Sequence, residues 1–162
     1  MESGSDHSQT PMSQVAIQAA KPSQFELLAR MNKELIEDEG HRNPMNVEEL
    51  CQRFERFVST EGYSLDVILW CNEVIGFATY RQEPDSAEAC GYHIHLRQFY
   101  ISRDVRGRGL GSLAFESLTR ARFKRGERLF LNVLETNPRG KEFWKKTGFK
   151  PYDTTMEQVV QG

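Results

Sequence analysis

The chain has 162 residues, 38% of them hydrophobic and 10% aromatic, enough for one folded domain with its own core and too many for a disordered segment. Cys51, Cys71 and Cys90 are widely spaced and odd in number, which argues against a disulfide framework and fits a reducing cytosol. No apolar run reaches the length of a membrane span and the N-terminus has no apolar signal core, so the expectation is a cytoplasmic protein with no membrane partner.

The net charge of −2 hides an asymmetry. Residues 1–61 carry eleven acidic and six basic side chains, a net of −5, whereas residues 97–128 carry nine basic and three acidic, a net of +6. Opposite charge in one domain suggests two partners of opposite charge, although two solvated helix faces would give the same count.

In chain order, residues 1–12 read as a flexible tail and 13–162 as one domain without repeats or a linker. Val15–Ala19 is a short apolar run that predicts a first strand. A helix begins at Lys21-Pro22-Ser23, places Phe25, Leu28, Ala29, Asn32, Leu35 and Ile36 on one face, and stops at Gly40. Asn46 opens a second helix with Glu49 at capping-box spacing and an apolar stripe of Leu50, Phe54, Phe57 and Val58.

From Tyr63 the period shortens. Leu65–Trp70 and Val74–Tyr80 flank Cys71-Asn72-Glu73 and read as an antiparallel hairpin. Ala89–Ile101 gives a long third strand. After a glycine-rich turn, Leu110, Leu113, Ala114, Ser117, Leu118 and Ala121 repeat at helical spacing. Leu129–Leu134 predicts a short strand, Pro138–Thr147 a helix closed by Gly148, and Phe149–Val160 a terminal β segment. The order implies a mixed α/β sheet with helices on both faces.

The glycine turn, Arg106-Gly107-Arg108-Gly109-Leu110-Gly111-Ser112, joins a strand directly to a helix. Such a turn presents unpaired backbone N–H groups at the positive end of the helix dipole, its glycines admit close approach, and its arginines add counter-charge. It suits a diphosphate. The nucleotide patterns fail here: no Lys-Ser/Thr follows the last glycine, and Ser112 stands where a dinucleotide fingerprint needs its third glycine.

The spacing Arg106-x-x-Gly109-x-Gly111 resembles the coenzyme A loop of the GNAT superfamily of N-acetyltransferases. The block Asn137-Pro138-Arg139-Gly140-Lys141-Glu142-Phe143-Trp144-Lys145-Lys146-Thr147-Gly148-Phe149 is similar to that family's downstream motif and follows in the family's order. The resemblance implies an α/β (α+β) fold with a mostly antiparallel mixed sheet, two splayed strands, and acetyl-CoA as acyl donor. It implies a loop at Arg106, Gly107, Arg108, Gly109, Leu110, Gly111 and Ser112, strand positions Phe99, Tyr100 and Ile101 along the pantetheine arm, and contacts from Asn137 and Phe143.

Two departures stand out. Where many members carry a glutamate on the strand before the loop, this chain has Arg97, which cannot be a base at neutral pH. His95, two residues earlier, is the leading candidate base, with Glu135 or a water relay as alternatives. Trp144 stands where a tyrosine acid is frequent, leaving Tyr152, water or unassisted departure of the thiolate. His93-x-His95 has no evident third metal ligand, so no metal is expected.

In similar proteins the segment after the first helix lines the acceptor pocket. Here Glu37, Asp38, His41, Arg42 and Asn43, with Arg97, are expected to contact a polar amine, although a solvated helix end reads the same way. The acceptor could be a polyamine, an amino acid, an antibiotic amine or a protein amine, and the compact domain favours a small molecule. A non-catalytic acyl-CoA sensor on the same fold is the rival reading. Nucleic acid is not expected, because the basic segment lacks interleaved stacking aromatics. Dimers are frequent in similar proteins, and the oligomeric state stays open.

Overall fold

The structure, a computed structural model, describes residues 15–162, so the expected tail over residues 1–12 lies outside the described residues. Its elements are β1 (Val15–Ala19), a 3-10 turn (Pro22–Gln24), α1 (Phe25–Glu39), α2 (Val47–Ser59), β2 (Ser64–Trp70), β3 (Glu73–Pro84) and β4 (Tyr92–Ile101). A second 3-10 turn (Arg103–Val105), α3 (Leu110–Arg122), β5 (Leu129–Phe130) and α4 (Pro138–Lys146) follow. The sheet runs β1-β2-β3-β4-β5; every pairing is antiparallel except β4 with β5.

Local signals set the boundaries. Asn46 accepts from the Glu49 N–H while Glu49 bonds back to the Asn46 N–H, a reciprocal box that starts α2. Gly40 ends α1 in the left-handed conformation. Cys71 and Asn72 both have positive φ, the geometry that lets a tight turn match the twist of β2 and β3.

The sheet divides the core in two. On one face α1 and α2 bury Phe25, Leu28, Leu50, Phe54 and Phe57 against Val67, Phe77 and Tyr100. On the other, Phe115 and Leu118 of α3 pack on Ala78, Tyr80, Ile94 and Leu96, with Trp144 of α4 and Phe149 closing the edge. Beneath α3, buried Asp66 receives two bonds from Arg122 and one from the Tyr80 hydroxyl, so the charge is paired and hydrogen-bonded as burial requires.

Two expectations need correction. The strand expected over Leu129–Leu134 shrinks to Leu129–Phe130, and the terminal β segment expected over Phe149–Val160 is not a strand. A strand needs a neighbour for its backbone N–H and C=O groups. Residues 150–162 run off the sheet and are exposed, with Tyr152 stacked on Phe130 and Glu157 paired to Arg42.

Candidate active site

The pairing of β4 with β5 covers only Ile94 with Leu129 and His95 with Phe130; beyond these the two segments part. β4 also carries a bulge at that point. Thr79 faces Gln98 and Tyr80 faces Leu96, so Arg97 is the extra residue. The bulge reverses the alternation: Ile94, Leu96, Phe99 and Ile101 pack toward α3, whereas Arg97, Gln98 and Tyr100 reach partners on α1 and α2. A one-sided opening results, with its polar wall on the α1–α2 side.

At the far end of β4 lies the glycine loop. Gly107 and Gly109 take φ of 81° and 73°, left-handed values that a side chain would strain. Gly111 is small for a different reason: a Cβ there would lie 3.1 Å from the Phe143 ring. Gly109 caps α3 without any side-chain bond, and the first helical bond runs from Leu113 N–H to Gly109 C=O. The N–H groups of Leu110, Gly111 and Ser112 therefore precede the helical ladder. Arg108 lies 5.7 Å over the Trp70 ring. Open donors, an uncapped helix start and a guanidinium outside any ion pair among the described residues fit the diphosphate of coenzyme A.

Arg106 is differently placed. Its Nε donates to the Ile101 carbonyl at 3.0 Å, its Nη2 lies 2.7 Å from Asp38, and its guanidinium sits over the Tyr100 ring. Arg103 bonds the same Asp38 at 2.8 Å and Glu37 at 3.2 Å. Burial pushes the Asp38 carboxyl up, but the bonds from Arg103 and Arg106 outweigh that and hold it below the ordinary carboxylate range. The structure thus brings Asp38 to Arg106 of the glycine loop and both Glu37 and Asp38 to Arg103 of the turn before it. His41 and Asn43 bond the local turn, and Arg42 reaches Glu157 in solvent.

His95 lies on β4 just before the strands part, with Nδ1 3.2 Å from Glu83 but not aligned for a hydrogen bond. Its neighbour His93 lies between Glu83 and Asp85, at 3.4 and 2.9 Å. Tyr100 donates a short bond to Glu34. Burial, then that bond, push the Tyr100 hydroxyl far above its ordinary range, so it stays protonated.

On the β5 side, Glu135 is exposed and bonded to Lys141 at 2.6 Å. Asn137 caps α4 by accepting from the Gly140 N–H at 3.0 Å. Phe143 stacks on Phe99, and Trp144 packs edge-on against Phe99, Phe115 and Phe149. Trp144 is thus part of the packing that joins α4 to the sheet.

A polar group inside the α1–α2 face went unread in the sequence. Asn32 is 1% exposed, and its Oδ1 accepts from Arg53 Nη2 at 2.8 Å and Gln98 Nε2 at 3.0 Å. The signal was available. Asn32 falls on the apolar face of α1, and Arg53 sits three residues after Leu50 and four before Phe57, inside the α2 stripe. A polar residue in a buried stripe calls for a partner.

Solved structures share this fold. A possible acetyltransferase from Clostridium difficile 630 superposes with a TM-score of 0.73 at 15% identity, over 91% of this chain and 97% of that one. A predicted acetyltransferase with acetyl-CoA from Clostridium acetobutylicum gives 0.68 at 19% identity, over 90% and 96%. The aminoglycoside N-acetyltransferase AAC(6')-Iy in complex with CoA gives 0.69 at 13% identity, over 91% and 95%. No curated protein matches by sequence. At these identities the likeness establishes the fold, and the family is carried by sequence: the acetyltransferase (GNAT) family pattern matches residues 26–149, from the first turn of α1 to the phenylalanine after α4. The chain belongs to the GNAT acetyltransferase family.

Proposed function

We propose that the protein is an acetyl-CoA-dependent N-acetyltransferase acting in the cytoplasm on the primary amine of a small polar molecule. The observation that carries this reading is the uncapped glycine start of α3 beyond the end of β4, a strand whose β5-side edge is unpaired after His95. Acetyl-CoA supplies an activated acyl group. Its diphosphate suits the N–H groups of Leu110, Gly111 and Ser112 and the Arg108 guanidinium, and its extended arm suits the unpaired edge of β4 along Phe99–Ile101.

An edge N–H near Tyr100 or Ile101 would polarise the acyl carbonyl and share the charge that develops there. Attack by the amine forms the C–N bond as the C–S bond breaks, so the chain's own task is to position the amine and take one proton. His95 is the proposed acceptor of that proton, with Glu83 placed to steady the imidazolium.

Thiol release from acetyl-CoA with a panel of amines, beside calorimetry with acetyl-CoA, tests the proposal. Expected are binding heat and amine-dependent thiol release, with kcat lowered roughly a hundredfold in His95→Gln, the lower end of general-base contributions. Heat without release for any amine would favour the acyl-CoA sensor; no heat from folded protein would remove the reading.

A further inference from the structure

Other arginines have a carboxylate: Arg103 and Arg106 hold Asp38 and Arg81 holds Glu83 near the opening, and Arg122 holds Asp66 beneath α3. Arg53 and Arg97 are in no ion pair among the described residues. Yet they are drawn together, their guanidinium carbons 5.1 and 4.9 Å from the centroid of one ring, that of Phe57. Arg97 also donates to the Tyr63 hydroxyl at 3.0 Å. Glu61 acts on Arg53 only through space, and Glu83 is already shared among Arg81, His93 and His95.

Donors left over at this place point the same way. Both Arg53 Nη2 and Gln98 Nε2 donate to Asn32 Oδ1, which fixes the amide's orientation and makes Nδ2 the remaining group. That Nδ2 is buried without a partner, and so is Arg53 Nε. Burial, reinforced by the like charge of Arg97, brings the Arg53 guanidinium down to about 10, still protonated at neutral pH and held in an unfavourable setting. Arg97 is exposed and hydrated, but a water that satisfied a donor of half-buried Arg53 would leave its charge without a counter-charge. An oxyanion does both.

We infer that Arg53 and Arg97, backed by Asn32, bind an oxyanion carried by the acceptor itself, a carboxylate or a phosphate monoester on the same molecule as the reacting amine. Arg97 is the bulge residue at the point where β4 and β5 part, so an anion held there leaves the amino group within reach of the opening. The inference rests on the acetyl-transfer reading above and names its acceptor class.

Matched pairs of amines test it. Phenylalanine against phenethylamine and lysine against cadaverine isolate a carboxylate; phosphoethanolamine against ethanolamine isolates a phosphate. The wild-type protein is expected to favour the anionic member of at least one pair by about tenfold or more in kcat/KM, the scale of one charge-assisted hydrogen bond. The favoured arm identifies the anion. In Arg97→Gln, a change at an exposed side chain, KM for that anionic amine should rise about tenfold more than the KM of its neutral twin. Arg53→Gln should do the same.

Equal efficiency within every pair overturns the inference, as does a preference that survives in both variants. If acetyl-CoA gives no heat, the acetyl-transfer reading fails separately, and the anion site is then read by titrating the anionic amines alone. Heat that is present in the wild type and lost in Arg97→Gln sustains the anion site; its absence in the wild type removes it.

Discussion

Two groups of arginines border α1, and they are arranged in opposite ways. At its C-terminal end, Arg103 and Arg106 share Asp38, and the acidic run that looked like a receptor for a cation is engaged with the chain's own basic loop. Midway along the helix, Arg53 and Arg97 flank one aromatic ring with a buried amide and no carboxylate. Net charge along the sequence points to the first group as the anionic surface. Pairing inverts that: charges answered within the chain are structural, and charges left unanswered are available to a ligand. The contrast predicts that removing a paired partner costs stability and that removing an unpaired arginine does not.

The largest effect is expected at the most buried pair. Asp66 is 2% exposed and holds Arg122 by two bonds and Tyr80 by one. Asp66→Ala leaves a guanidinium facing the core and a buried hydroxyl without its acceptor, and should cost about 3 kcal/mol, toward the low end for a broken buried pair because Arg122 is partly exposed. Urea unfolding checks it; a loss under about 1 kcal/mol, the scale of an exposed pair, would mean that pairing carries little weight in this domain.

A smaller effect is expected at Asp38. Asp38→Asn keeps the shape and removes the charge that Arg103 and Arg106 share, costing about 1 kcal/mol at neutral pH for a partly exposed network. The sign of its pH dependence follows from the depressed carboxyl. The folded-state pKa lies below the ordinary 3.8, so the stabilisation is fully present above that value and disappears as pH falls through the lower, folded one. Melting curves of the two proteins should therefore separate at pH 7 and draw together as the pH falls below 3.8 through the lower, folded-state value. A gap that persists in acid would assign the effect to packing.

Much of the fold was legible because its signals are local. The Asn46–Glu49 box, the left-handed Gly40 and the Cys71-Asn72 turn each specify a few dihedrals from a few residues. The glycine loop was legible for the same reason. What the sequence hid depends on distant partners. Leu131–Leu134 have strand composition but no neighbour once β4 and β5 part, and the tail after Phe149 runs beyond the sheet. The charges around α1 show the same limit: Glu37 and Asp38 are acidic yet paired with Arg103, whereas Asn32 and Arg53 betray themselves only as polar residues inside apolar stripes. Which charge is free is a tertiary fact.

The smallest change tests the other half of the contrast, and its sign matters more than its size. Arg53→Met keeps a long stem against Phe57 while deleting the charge. It gives up the Asn32 bond and the contact with the Phe57 ring, the latter about 1–2 kcal/mol for a partly desolvated guanidinium. It gains relief from desolvating a guanidinium beside Arg97, and Asn32 Oδ1 keeps its second donor in Gln98. These terms offset, leaving the variant as stable as the wild type or more so by about 0.5 kcal/mol, a rise of 1–2 °C in melting temperature. Differential scanning calorimetry in anion-free buffer would resolve it. An unpaired arginine kept for a ligand is one whose removal the empty protein tolerates and whose loss appears only when the acceptor is added. A drop of several degrees would instead make Arg53 a structural residue like Arg122, and the distinction between the two groups would fail at its centre.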